Sequence, residues 1–158
     1  MKKTRFITHA ALIAALYVVL TYVANAFGLA SGAIQVRFSE SLTVLPFFTP
    51  AAIPGLFIGC ILSNLLTGCA LFDTLFGSIA TFIGAIGTYA IRKHKWLTPL
   101  PPILANTLIV PFVLAYVYGV PGGIPYLMVT VGIGELISCY VLGMILLFGL
   151  NKYRNVLF

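Results

Sequence analysis

Residues 6–26, FITHAALIAALYVVLTYVANA, contain no charged side chain and are almost entirely apolar. A helix needs about 20 such residues to cross the hydrocarbon core of a bilayer. The remaining sequence is similar, because 61% of the 158 residues are hydrophobic, 8% are charged and the mean hydropathy is +1.10. This composition predicts an all-α membrane protein, a single integral membrane domain over 1–158, and leaves no room for a soluble catalytic domain.

The first apolar run is preceded by Lys2, Lys3 and Arg5 and ends in Ala24-Asn25-Ala26, a pattern also found in secretory signal peptides. It is longer than the apolar region of most signal peptides, and equally apolar segments follow. We therefore predict a retained first helix. Six transmembrane helices are expected in all, over residues 6–27, 40–50, 52–69, 73–91, 100–118 and 126–150. The second is short and contains Pro46, which predicts a bent or tucked segment.

The basic residues fall into three clusters, before the first span, after the fourth and after the sixth: Lys2, Lys3, Arg5; Arg92, Lys93, Lys95; Lys152, Arg154. Six crossings put all three clusters on one side of the membrane, and the positive-inside rule makes that side, with both termini, cytoplasmic. Only Arg37 then lies on the outer side. The net charge of +6 is explained by topology and anionic lipid headgroups, and no nucleic acid partner is needed.

Three acidic residues, Glu40, Asp73 and Glu135, are the only ones in the sequence. A carboxylate in or near a bilayer needs a partner, a capping role or a ligand. Glu40 could pair with Arg37, and Asp73 could cap a helix, as could Ser39. Glu135 has no basic residue at its predicted depth, so we expect it to be protonated, bonded to a group such as Ser138, or facing a ligand. All three lie in the predicted outer half, with Glu40 at the outer mouth of the second span, which suggests a pocket that opens outward.

Neutral polar and small residues add to this interpretation. Asn64, Tyr116, Tyr118 and Tyr126 are predicted near the same outer surface, where tyrosines commonly form an interfacial belt. In the first span Ala10 and Ala14, and likewise Ala11 and Ala15, are four residues apart, as are Gly55 and Gly59 in the third. Such spacing lets two helices approach closely. We interpret the glycine pair as internal packing. The alanine pairs could serve internal packing or docking onto a partner membrane protein.

Several functions are disfavoured by what the sequence lacks. It has no phosphate-binding loop for ATP hydrolysis and no hydrolase or zinc-protease motif, so we predict that the protein is not an enzyme and uses no cofactor. Its three cysteines, Cys60, Cys69 and Cys139, have no metal-ligand spacing and are interpreted as apolar packing residues, with no metal site.

The stretch QVRFSESLTVLP (35–46), the stretch PAAIPGLFIGC (50–60), Asn64 and the run DTLFGSIAT (73–81) resemble the queuosine precursor transporter family. That family belongs to the substrate-binding (S) components of energy-coupling factor (ECF) transporters, which are ABC-type. The resemblance implies six helices in the bacterial plasma membrane that capture a micronutrient outside the cell. It also implies docking, through Ala10, Ala11, Ala14 and Ala15, onto a transmembrane T subunit that carries two ATPase subunits.

The cargo that the resemblance implies is a 7-deazaguanine: the 7-cyano form (preQ0), the 7-aminomethyl form (preQ1) or queuine. One carboxylate can accept the N1–H and N2–H donors of a guanine edge together. We assign that role to Glu40 or Glu135 and the remaining donors to Asp73. We assign neutral hydrogen bonds to Asn64 and Gln35, and stacking on the flat heterocycle to Tyr116 or Tyr126. Arg37 is assigned either a hydrogen bond to O6 or a contact that holds Glu40 in place.

Three alternatives remain open from the sequence. The same architecture could bind another flat vitamin, such as a flavin or thiamine. A membrane scaffold subunit would bind no ligand, which leaves a buried Glu135 without explanation. A secondary carrier would work without an ATPase partner, although no inverted repeat is visible.

Overall fold

A computed structural model describes residues 3–29 and 34–154. Within these ranges the chain is helical and contains no strand, which confirms the all-α prediction. The helices are α1 (Lys3–Ala26), a 3₁₀ helix (Phe38–Phe47), α2 (Ala52–Leu66), α3 (Leu71–Ala90), α4 (Leu100–Tyr116) and α5 (Ile124–Asn151). A short 3₁₀ turn, Lys95–Leu97, leads into α4, and α5 contains a π-helical segment over Leu136–Leu142.

Four helical segments are long and apolar enough to cross a membrane: Lys3–Ala26, Leu71–Ala90, Lys95–Tyr116 and Ile124–Asn151. The predicted third span, 52–69, is the 15-residue α2. At 1.5 Å per residue α2 reaches about 22 Å, less than the hydrocarbon thickness of about 30 Å. The protein is therefore a multi-pass membrane protein whose helices differ in length.

The predicted second span, 40–50, is a ten-residue 3₁₀ helix that contains Pro46. At about 2.0 Å per residue it reaches roughly 20 Å. Proline has no amide hydrogen to donate and fits poorly inside a longer α-helix, which explains the short tight helix. Its residues are nearly all buried, among them Glu40, Val44 and Phe47. The segment is thus packed inside the bundle, as the prediction of a tucked helix required.

Helices α1 and α2 approach closely through small residues. A Cβ atom added at Gly55 would lie 2.8 Å from the Ala10 carbonyl oxygen, and one added at Gly59 would lie 3.0 Å from Ala14 Cα. The glycine pair therefore serves internal packing, as predicted, and it does so against Ala10 and Ala14. These two alanines face α2, so of the predicted docking residues only Ala11 and Ala15 are on the exposed side of α1.

Contacts between distant segments define the two ends of the bundle. At one end Lys3 and Pro50 line a common groove. At the same end the Arg154 guanidinium lies 5.7 Å from the centre of the Phe47 ring. The ring centres of Trp96 and Phe148, also at this end, are 5.3 Å apart. Residues from all three basic clusters or their neighbours thus lie at this end, although Lys2 itself is outside the described residues. At the opposite end the Tyr22 hydroxyl donates to the Leu66 carbonyl (3.0 Å).

Candidate binding site

Glu40 and Glu135 lie side by side at mid-depth in the bundle. Their carboxylate oxygens and the Cys139 sulfur are all within 4.8 Å of one another, and all three residues are buried within the bundle. Glu135 is about 16 Å along α5 from Ile124 at 1.5 Å per residue, half of a bilayer core of about 30 Å. The prediction that Glu40 lies at the outer mouth of its span is therefore wrong, because it shares the level of Glu135.

Glycine on α5 explains how Glu40 reaches this depth. A Cβ atom at Gly134 would collide with the Gln35 carbonyl oxygen, so only glycine lets the chain at Gln35 lie against α5. Just beyond it, the Arg37 backbone N–H donates to Ser138 Oγ (3.1 Å). The chain has thus already entered the bundle before the 3₁₀ helix begins, and Glu40 on its first turn faces the helix centres.

Glu40 is held by side chains from two other helices. The Tyr17 hydroxyl of α1 donates to Glu40 Oε1, and the Asn106 amide of α4 donates to Oε2 (3.5 Å). Tyr17 is 1% exposed and Glu40 is 2% exposed. Among the described residues these two, rather than Arg37, are the hydrogen-bond partners of the Glu40 carboxylate, so the simple pairing of Glu40 with Arg37 does not describe its bonding.

Glu135 accepts a hydrogen bond from the Cys139 thiol, at 3.1 Å from Oε2. Ser138, the partner suggested by the sequence, instead receives the Arg37 backbone N–H. Cys139 also lies 3.6 Å from the Glu40 carbonyl oxygen and 3.5 Å from Thr43 Oγ1. Interpretation of Cys139 as an apolar packing residue is therefore incomplete, because its thiol links the 3₁₀ helix to α5. A π-helical segment begins directly after Glu135, and such segments are frequent at functional sites.

A cavity of about 20 Å³ lies between these groups. That volume accommodates a water molecule or a small polar group. Polar and apolar side chains from five parts of the chain line it: Gln35, Arg37, Glu40, Gly77, Thr81, Asn106, Val110, Val131 and Glu135. Of the predicted binding residues, the structure brings Gln35, Arg37, Glu40 and Glu135 together here.

Arg37 is the basic residue of this cavity, and its charge acts on Glu40, Glu135 and Asp73. The three acidic residues of the whole sequence are thus within the influence of one guanidinium. Like charges at short range in a medium of low dielectric constant repel strongly. The three carboxyl groups therefore cannot all be ionised beside one cation without strong repulsion, and a ligand that brings hydrogen-bond donors or a cation relieves it.

Asp73 and Asn64 lie beside this cavity without lining it. Both approach Gly77, where an added Cβ would be 3.6 Å from Asp73 Oδ1 and 3.5 Å from Asn64 Nδ2. Asp73 is the third residue of α3, whose N-cap is Ala70, so the capping role suggested for Asp73 is wrong. Its carboxylate instead accepts a hydrogen bond from the Tyr118 hydroxyl (2.9 Å).

Tyr118 connects the end of α4 to the start of α3. Its oxygen also accepts the Ala70 backbone N–H (3.0 Å). Its pKa is raised to about 12, first by partial burial and then by the adjacent Asp73 carboxylate, whereas the Ala70 N–H acts in the opposite direction. Tyr118 is therefore a neutral donor to Asp73 at physiological pH.

The remaining predicted residues lie elsewhere. Tyr116 is 78% exposed and lines an apolar groove between α3 and α4, where its ring stacks on Phe112. Tyr126 is 54% exposed and lines a second cavity toward the end of the bundle opposite the basic clusters, together with Gln35. Ser39 is also not an N-cap, since Arg37 precedes the 3₁₀ helix and the buried Ser39 hydroxyl has no hydrogen-bond partner among the described residues.

Tyr17, Asn106 and Cys139 are the site residues that the sequence reasoning missed. Asn106 is the one of these with a usable signal, because an amide near the middle of an apolar span has to find a polar partner. Nothing in α1 alone distinguishes Tyr17 from a tyrosine at the membrane surface. Two carboxylates and a thiol could also contact a metal ion, but this set of three is one short of the four ligands usual for structural zinc.

Comparison with known proteins adds two findings. The model of the QueT transporter family matches residues 7–152. A protein named queuosine precursor transporter QueT, from Lactococcus lactis subsp. cremoris, is 37% identical over 81 residues, which cover 51% of this chain and 47% of that protein. The aligned part thus spans about half of the relative's length. No solved structure matches the chain.

Proposed function

Because the chain belongs to the QueT transporter family, whose name denotes transporters rather than enzymes, we propose that it binds a 7-deazaguanine for import. The observation that carries this proposal is the buried pair Glu40 and Glu135, which lies with Arg37, Asn106 and Gln35 around one cavity. The name of the Lactococcus lactis relative refers to queuosine precursors, and 7-deazaguanines are such precursors.

The chemistry of the cavity fits a guanine-like edge. The N1–H and N2–H donors of such an edge point in parallel and match one carboxylate, while the guanine O6 needs a donor such as Arg37 or Asn106. The carboxyl groups around the cavity also suit an aminomethyl group, which is cationic at neutral pH and relieves their mutual repulsion. In this proposal one of the two glutamates accepts the guanine edge, and the other, or Asp73, neutralises the cation.

Direct binding tests the proposal. We expect 7-aminomethyl-7-deazaguanine to bind the purified protein in detergent by calorimetry. Glu40→Gln and Glu135→Gln retain the side-chain shape but remove the charge, and each should weaken binding about 10- to 100-fold, since hydrogen bonds to charged groups contribute about 1.5–3 kcal/mol. Asp73→Asn should have a smaller effect because Asp73 lies outside the cavity lining.

Thr88→Val is the matched control, since Thr88 is a buried α3 residue whose hydroxyl donates to the Thr98 carbonyl (2.9 Å) far from the carboxylates. It should leave affinity unchanged. Unaltered affinity in all three acid variants would refute the site. Binding of a flavin or thiamine in place of the deazaguanine would support the alternative vitamin, and no ligand at all would support a scaffold subunit.

We further propose that the protein is the S component of an ECF transporter in the bacterial plasma membrane, with both termini in the cytoplasm. In support, basic residues gather at one end of the bundle. Ala11 and Ala15 lie on the exposed face of α1, where small side chains allow a partner helix to approach closely. The T subunit, with its two ATPase subunits, would dock on this face.

Co-purification tests the docking face. Ala11→Leu and Ala15→Leu should reduce recovery of the T subunit with the tagged protein, because each adds bulk where the helices would touch. Ala26→Leu is the matched control, being an exposed alanine at the other end of the same helix. Ligand binding by the isolated protein should be unchanged in all three variants. Equal recovery of the T subunit from all of them would contradict docking on this face.

A further inference from the structure

A second cavity lies directly beyond the carboxylate cavity, between α4, α5 and the loop that connects them. It has a volume of about 250 Å³, much larger than the first. Helix α4 contributes Leu114, the loop contributes Val120 and Pro121, and α5 contributes Tyr126 and Thr130. The cavity is thus enclosed on the sides by two helices and covered by the loop.

The two cavities are neighbours on the same helices. On α4, Leu114 of the second cavity is four residues beyond Val110 of the first cavity. On α5, Leu127 of the second cavity is four residues before Val131 of the first cavity. Four residues are one helical turn, about 5.4–6 Å along the axis. Gln35 lines both cavities and therefore lies at the boundary between them. A ligand longer than one helical turn is thus long enough to reach from one lining to the other.

The linings of the two cavities differ in charge. The first cavity contains Glu40, Glu135 and Arg37, whereas the described residues that line the second include no ionisable side chain apart from the hydroxyl of Tyr126. Its polar groups are hydroxyls and the amide of Gln35, set among aliphatic side chains. Such a lining suits a neutral group that carries both apolar carbons and hydroxyls, because a buried charge would have no partner there.

We propose that the second cavity is a subsite for the far end of the substituent at position 7 of the deazaguanine, and that it accepts a neutral, hydroxylated carbon ring, while an amine next to the heterocycle stays beside the carboxylates of the first cavity. This proposal rests on the proposed function, in which the guanine edge meets the carboxylates of the first cavity. The heterocycle then spans the boundary at Gln35, and the substituent extends toward the loop. The protein is thereby a carrier for precursors with large substituents, such as queuine, as well as small ones.

A series of substituents tests the subsite. Leu114→Trp fills the second cavity without touching a carboxylate, and Leu108→Trp, on the same helix, is its matched control because Leu108 is 58% exposed in the groove between α3 and α4. Binding of queuine and of 7-cyano-7-deazaguanine is measured by calorimetry for each protein. We expect Leu114→Trp to lower the affinity for queuine at least tenfold and that for the 7-cyano compound less than threefold. Leu108→Trp should change neither.

Val120→Trp, in the loop over the same cavity, gives an independent measurement should Leu114→Trp not fold, and the same selective loss is expected. Equal losses for the two ligands, or no loss for either, would overturn the subsite while leaving the proposed function intact. Failure of the unmodified protein to bind any 7-deazaguanine would instead overturn the proposed function, and the subsite with it.

Discussion

Replacing Tyr17 with phenylalanine removes one hydroxyl from the centre of the helix bundle and leaves the ring in place. Its hydrogen bond to Glu40 is buried, and the remaining Glu40 carboxylate bond, from Asn106, is long at 3.5 Å. Interhelical hydrogen bonds in membrane proteins contribute about 0.6 kcal/mol on average and about 1.7 kcal/mol at most. Because the acceptor is a carboxylate, this bond belongs near the upper limit, so we expect a loss of about 1.5 kcal/mol in the free energy of unfolding.

Thermal unfolding in detergent measures the effect. For a protein of this size 1 kcal/mol corresponds to about 2–4 °C, so Tyr17→Phe should lower Tm by about 3–6 °C. Circular dichroism at the helix band follows the whole bundle. Fluorescence of Trp96, the one tryptophan in the sequence, follows its contact with Phe148. Agreement of the two transitions supports two-state unfolding, which the conversion to free energy assumes.

Tyr22→Phe is the matched control on the same helix. The Tyr22 hydroxyl also donates one hydrogen bond, to the Leu66 carbonyl, but this side chain is 46% exposed, so other donors at the surface can replace it. Its loss should cost about 0.5 kcal/mol or less. A Tm shift for Tyr17→Phe no larger than that for Tyr22→Phe would show that the Tyr17 bond to Glu40 does not stabilise the bundle.

Further predictions concern packing and the two charged regions. Gly59→Ala should lower the free energy of unfolding by about 1–3 kcal/mol, because its Cβ would lie 2.8 Å from Tyr17 Cβ. Gly149→Ala should not lower it, because the other described segments place no atom within 4 Å of the new Cβ. In Asp73→Asn the pKa of Tyr118 should fall below its value of about 12, which an absorbance titration of phenolate detects as one tyrosine ionising earlier. An unchanged titration would contradict the Tyr118–Asp73 bond. Arg37→Gln should lower Tm, since it leaves the carboxyl groups without their cation. Added monovalent salt should not restore Tm, because salt screens buried charges much less than exposed ones.

Much of the fold could be predicted because the membrane sets the lengths of its segments. The first predicted span, 6–27, is Lys3–Ala26 in the structure, and the last, 126–150, is Ile124–Asn151. The local sequence also indicates the one segment that is not a regular span, because Pro46 in a short apolar run predicts a tucked helix. The depth of that segment could not be predicted, because it depends on Gln35 lying against Gly134, nearly one hundred residues away.

The candidate site could be predicted for its charged members and for Gln35. A carboxylate in an apolar sequence is conspicuous, so Glu40 and Glu135 were found from the sequence. Their partners come from distant helices, where Tyr17 looks like a surface tyrosine and Cys139 like a small apolar residue. The alanine pairs show the same limit, because the spacing of Ala10 and Ala14 and that of Ala11 and Ala15 are alike, and only the packing of α2 tells the two faces apart.

The packing of α1 against α2 also connects the fold with the site. Because Gly59 has no side chain, α1 packs so close to α2 that a Cβ added at Gly59 would lie 2.8 Å from Tyr17 Cβ. At this spacing the Tyr17 hydroxyl reaches Glu40. A wider spacing would break this hydrogen bond and leave a buried carboxylate with one weak donor, which costs free energy in an apolar interior. The opposite face of the same helix carries Ala11 and Ala15. Helix α1 therefore contacts Glu40 through Tyr17 on one face and exposes the proposed docking residues on the other. Substitutions in α1 have to be measured for ligand affinity and for partner recovery separately.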